Sequence, residues 1–310
     1  MEYLPLGLTW AAFGLHLLGE RRAVVITGRL RDRSAHARAL MFYAGLLTIL
    51  VALASPIETL ATQLLWAHMI EHLLLLLVAA PLIVLSAPWM SLWRPLPLGP
   101  RRAVAKIVVR SPYLAPIRAI ARALGRPLGA WLAFCINLVF WHLPVMYDLT
   151  LRNTSAHVLE HITFLLFGIV FWAQVIPSPP LRTSLSYQGR IAYVAAAIIP
   201  NVGVSMFLAF SRAPLYAPYA GLGHRPGGIS ALADQQIAAG IMWSAGDLPF
   251  GIAIAWLVHR WLLEHELTTS RLGAPAEGAG QDPPLIEGPL ADADTPSDVL
   301  TSAPAAEHRG

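Results

Sequence analysis

Two short stretches of the chain repeat one pattern of ligand-capable side chains: His68-Met69-Ile70-Glu71-His72 and His157-Val158-Leu159-Glu160-His161. The chain has eleven histidines and ten glutamates in 310 residues. At that composition about 0.01 chance matches to H-x-x-E-H are expected, so two are not an accident. On a helix, residues four apart share a face, and the two imidazoles of each stretch can therefore address one ion. Glu71 and Glu160 stand one residue before the second histidine, where a carboxylate can orient a ring, act as a ligand itself or carry a proton. A lone interfacial histidine usually hydrogen-bonds and packs, but packing does not call for the same spacing twice.

Other residues could join such a centre. Trp141-His142-Leu143-Pro144-Val145-Met146-Tyr147 adds a fifth histidine, His142. Asp234 opens the last apolar block as either a further ligand or an N-cap. Met69 is a possible additional ligand, although Met69, Met146, Met206 and Met242 suit core filling better than copper ligation. His224, in a glycine-rich stretch, is weak evidence. Imidazole suits copper, zinc or iron, and thioether favours Cu(I). The donor set therefore allows copper and leaves zinc open. Cys135 is the only cysteine, which excludes a disulfide framework or a paired-thiol site.

The elements that must position these residues read as membrane helices. The chain is 56% hydrophobic and 13% charged, against about 25% charged in ordinary soluble domains. Apolar blocks at 3–19, 39–55, 63–85, 127–145, 156–176, 191–210 and 236–258 are each long enough to cross a hydrocarbon core of about 30 Å. The first follows Met1-Glu2-Tyr3 with no basic lead and reads as a retained helix rather than a cleaved leader. Nineteen of the 22 lysines and arginines fall on one side of this alternation and three (Arg152, Arg212 and Arg225) on the other. By the positive-inside rule the fold is an all-α seven-helix transmembrane bundle, N-terminus out and C-terminus in. Both histidine motifs then open helices at the outer face, where ionisable groups turn to a bundle interior or a wet cavity. Residues 1–266 form this membrane domain. Residues 267–310, with seven acids, two arginines and six prolines, read as a disordered cytoplasmic tail. The positive body serves topology and implies a lipid bilayer, not nucleic acid, as partner.

The repeat extends beyond the motifs. Pro56 lies twelve residues before His68 and Pro144 thirteen before His157, each closing an outward helix and soon followed by an acid, Glu58 or Asp148. Helices two–three and four–five can thus be parallel repeats about an axis along the membrane normal.

The run His68–His72 with the leucines after it, Trp141–Pro144 with Tyr147, His157–His161 with Phe171-Trp172, and Asp234-Gln235-Gln236 with Ala239–Trp243 resembles the CtaG family of cytochrome c oxidase assembly factors. The resemblance covers residues 1–262. It implies a multi-pass protein of the bacterial plasma membrane, without enzymatic activity, that helps build a haem–copper oxidase with a cytochrome c oxidase subunit as partner. It also implies copper as the metal, with His68, His72, His142, His157, His161 and Asp234 at the family's polar positions. Two other readings compete. H-x-x-E-H is also the inverted zincin signature of zinc hydrolases, though there one motif suffices beside a separate ligand. A b-type haem would take axial histidines from facing helices, not an i, i+4 pair on one.

Overall fold

The computed structural model describes residues 4–28, 32–181 and 183–273. It divides into two units, one ending at Glu264 and one beginning at His265. Apart from the end of the last helix, everything discussed below lies in the first. Residues 274–310, most of the expected tail, lie outside the described residues.

Among the described residues the fold is helical, with one isolated bridge between Ser178 and Leu181. Helix α1 (Leu4–Thr27) and α2 (Arg33–Leu53) lead to a short helix, α3 (Pro56–Ala61). The first histidine motif rides on α4 (Leu65–Leu73), which continues through a π-helical segment, Leu74–Ala79, into α5 (Ala80–Ser86). After α6 (Trp89–Trp93) come α7 (Leu98–Arg110) and α8 (Ala115–Leu124). The second half repeats the plan of the first: α9 (Pro127–His142), a proline-led short helix α10 (Pro144–Arg152), then α11 (Thr154–Val175) with the second motif. It closes with α12 (Tyr187–Phe210), α13 (Ala217–Ala220) and α14 (Ala231–Gly273).

A helix covers each of the seven apolar blocks. Among the described residues five stretches are long and apolar enough to cross a membrane, or six if α9 and the helical stretch before it, bent by 94°, form one span. The shortfall from seven has physical causes. Helix α1 carries Glu20, Arg21 and Arg22 within its length, and α9 alone has only 16 residues. Between them α7 and α8 bury no residue. Ile117 and Ile120 sit opposite Arg118 and Arg122 on α8, the pattern of a helix lying along a bilayer surface.

The core gathers around the two motif helices. Phe134, Phe171, Trp172 and Phe250 stack in one cluster with Leu76 and Val84. Gly168 permits close packing here: a Cβ on it would stand 3.0 Å from both Ala80 Cβ and Leu76 Cδ1. Trp172 Nε1 donates to the carbonyl of Leu76 at 3.0 Å, inside the π-helical segment. A π-turn shifts the hydrogen-bond ladder and is frequent next to functional sites; this one begins two residues after His72.

Candidate metal centre

Both motifs sit at helix starts, but different residues fix those starts. Asn153 Oδ1 accepts from the N–H groups of Ser155 and Ala156 and caps α11 in its own chain segment. The start of α4 has no local side-chain cap. Asp234 supplies it from α14, with Oδ2 accepting from Leu65 N at 2.8 Å and Oδ1 from Trp66 N at 3.1 Å. A carboxylate at an N-terminus also opposes the helix dipole. Asp234, read from the sequence as either a further ligand or an N-cap, thus has both oxygens engaged as a cap, and its part in the geometry is to hold the helix that carries His68.

The rings converge. His68 and His72 Nε2 atoms are 3.0 Å apart. His68 lies 5.1 Å from His157 and 5.9 Å from His161 between ring centroids, and His72 lies 5.5 Å from His161. Each glutamate crosses to the other motif: Glu160 stands 3.5 Å from both His68 Nε2 and His72 Nε2, and Glu71 stands 3.8 Å from His161 Nε2. Two quartets result, each with all its donor atoms within 4.8 Å of one another: His68, His72, Glu160 and His161, and His68, Glu71, His157 and His161. Glu71 and Glu160 are fully buried, His68 and His72 nearly so, and His157 half-buried.

The spacing suits a tetrahedral cation. With metal–nitrogen and metal–oxygen bonds of about 2.0–2.1 Å, separations of 3.0 and 3.5 Å subtend angles of about 95° and 117°, on either side of the tetrahedral value. Hydrogen bonds behind the rings aim them. Burial pushes the Tyr219 phenol above its ordinary range, so it keeps its proton. It donates that proton to the Ala61 carbonyl and can then only accept from His68 Nδ1 at 3.3 Å. This fixes the tautomer and turns the bare Nε2 of His68 towards His72 and Glu160. Among the described residues, both oxygens of Glu71 and of Glu160, and the Nε2 of His157 and His161, have no hydrogen bond. Buried carboxylates left this way are costly unless a cation or a proton joins them.

This geometry stands in a chain with recognisable relatives. The family model described as cytochrome c oxidase caa3 assembly factor (Caa3_CtaG) matches residues 23–264. The chain belongs to that family. Uncharacterized proteins of Mycobacterium bovis and Mycobacterium tuberculosis are each 24% identical over 234 residues, covering 76% of this chain and 35% of theirs. One of Mycobacterium leprae is 24% identical over 255 residues, covering 80% of this chain and 38% of its own. The chain thus spans about a third of the length of these relatives. No solved structure matches.

Set against the positions that the family resemblance suggested, the quartets take His68, His72, His157 and His161 together with both glutamates. His142 is buried beside them, its ring 6.2 Å from that of His72, but joins neither quartet. Met69 is buried on α4 among Leu65, Tyr147, Leu208 and Met242. His224 is exposed, and His16, buried far along α1, stacks on Phe42. Tyr219 and Asn153 are not singled out by the sequence. Only Asn153 had a readable signal, as a capping residue just before an apolar helix.

Proposed function

We propose that this protein is a non-enzymatic assembly factor for a haem–copper cytochrome c oxidase, holding a copper ion as cargo in the His/Glu pocket and passing it to an oxidase subunit. The observation that carries this reading is the reciprocal crossing of the two motifs, which puts imidazole nitrogens and carboxylate oxygens from separate helices around one point. Family membership supplies the oxidase, and the imidazole-rich donor set suits copper, as it also suits zinc. In this reading the chain has seven spans with the N-terminus out, in a bacterial plasma membrane, and the pocket lies near the outer face. His157 and His161 also line an apolar cleft of about 350 Å³ reaching Glu58 and Thr154, which gives a client's ligands a side from which to approach.

The zinc-hydrolase alternative is served less well. A zincin glutamate must be free to activate water, whereas here Glu71 and Glu160 each face histidine nitrogens of the opposite motif.

The test is elemental analysis of the purified full chain beside a variant with His68, His72, His157 and His161 all changed to alanine, together with oxidase activity in cells. Copper in the native chain, its loss in the variant and a parallel loss of oxidase are expected. Equal metal and equal oxidase in both would end the proposal; tightly held zinc with peptidase activity would favour the hydrolase.

A further inference from the structure

We infer that the chain has a second metal position, selective for Cu(I), in a small cavity bordered by His72 and not by Glu160. The cavity has a volume of about 20 Å³ and is lined by His72, His142, Met69, Met242 and Asn201, with leucine and phenylalanine side chains completing the wall. That volume holds one water-sized body.

Its polar content is unusual. His142 is 4% exposed and its Nδ1 donates to the Leu138 carbonyl at 2.7 Å, so the lone pair resides on Nε2. That Nε2 has no hydrogen-bond partner. His72 is also 4% exposed; its Nε2 faces His68 and Glu160 while its Nδ1 is unpartnered. Asn201 is already committed, donating to the Met242 carbonyl at 3.0 Å and to Asp247 at 2.9 Å. The wall thus brings together two histidines, each with an unpartnered ring nitrogen, and two methionines, with no carboxylate.

That donor set differs in kind from the neighbouring quartets. Imidazole and carboxylate accept divalent zinc or copper, while thioether is a soft donor that favours Cu(I). A water molecule could satisfy the two nitrogens but would gain little from the sulfurs. A cuprous ion can use both kinds of donor. His72 borders both positions, so the chain can offer neighbouring homes to ions of different softness. The inference goes beyond the proposed function and shares only His72 with the quartets, since neither contains His142, Met69 or Met242.

The experiment uses the full chain, purified without oxygen, and titrates Cu(I) in competition with a chromophoric chelator. A parallel Zn(II) titration and X-ray absorption of the copper-loaded protein complete it. The variant is Met69→Leu with Met242→Leu, which conserves buried apolar volume. The native chain is expected to show sulfur scattering at copper. The variant is expected to lose it and to bind Cu(I) at least about tenfold more weakly, with Zn(II) binding unchanged. His142→Ala is expected to weaken Cu(I) in the same way. A native spectrum without sulfur, or a double variant that binds Cu(I) like the native chain, would show that the cavity holds only water. Equal loss of both metals in the double variant would also overturn a separate position. Cu(I) bound through sulfur by a chain that takes no Zn(II) or Cu(II) would leave this inference standing and remove the His/Glu pocket instead.

Discussion

The two motif-bearing helices carry the same residues at the same spacing, yet the fold supports them differently. Helix α11 is a regular helix capped by its own neighbour, Asn153, and its first motif histidine, His157, is half-buried beside the apolar cleft. Helix α4 is capped from α14 by Asp234, gives way to a π-turn soon after His72, and buries His68 behind Tyr219. Identical side chains thus sit on one helix anchored by tertiary contacts and one that starts itself. The side anchored by distant residues is the more enclosed side. Under the proposed function, the asymmetry would give the copper ion an accessible flank, at His157, and a closed one, at His72.

The largest expected effect concerns the overlap of the quartets. His68 and His161 belong to both, His72 and His157 to one each. Changing His68 or His161 to alanine is expected to weaken metal binding by about 100-fold or more, beyond the 10–100-fold typical of residues that only orient ligands. His72→Ala and His157→Ala should each cost less, because the other quartet survives. Metal-competition titrations of the four single variants give the ranking directly. A ranking with His157 at the top would mean that the half-buried quartet is the resting one.

A second effect probes the packing between the halves. Gly168→Val would push a branched side chain into Ala80 and Leu76 at the π-turn, an overpacking that costs about 1–3 kcal/mol. Thermal unfolding in detergent is expected to fall, and His72 to shift with α4. Metal affinity that falls alongside stability would tie the π-turn to the pocket; stability lost with affinity intact would reduce the π-turn to a packing accommodation.

Much of this was readable in advance because it is periodic. The i, i+4 histidine pairs, the apolar blocks and the proline-led repeat depend only on local spacing, and helices cover all seven blocks. What spacing cannot encode is rotation of one helix against another. That rotation takes Glu160 to His68 and His72, and Glu71 to His161, rather than leaving each glutamate beside its own motif. Asp234 shows the same limit: its donors, the N–H groups of Leu65 and Trp66, are 169 and 168 residues away, and nothing local distinguishes a cap in trans from a ligand. Helices α7 and α8 were legible but passed over as a basic connection. Ile117, Ile120 and Leu124 recur at helical spacing opposite Arg118 and Arg122, a pattern that charge counting for topology obscures.

The smallest effect, and the sharpest for the comparison, comes from the two caps. Removing an N-cap acceptor costs about 0.5–2 kcal/mol. Asn153→Ala should fall in that range and leave metal affinity near native, because α11 is also held along its length by Glu160, His161 and Phe164 in the core. Asp234→Ala removes acceptors from two backbone N–H groups at once and frees the start of α4, three residues from His68. It should therefore cost stability towards the upper end of the range and also weaken metal binding by roughly tenfold, the size expected when a ligand loses its support. Asp234→Asn keeps one acceptor oxygen and should recover part of both. A direct ligand would behave otherwise: Asp234→Asn would then lose metal as badly as alanine while stability stayed close to native. The relation between the two readouts, not either alone, separates a residue that holds the helix from one that holds the ion.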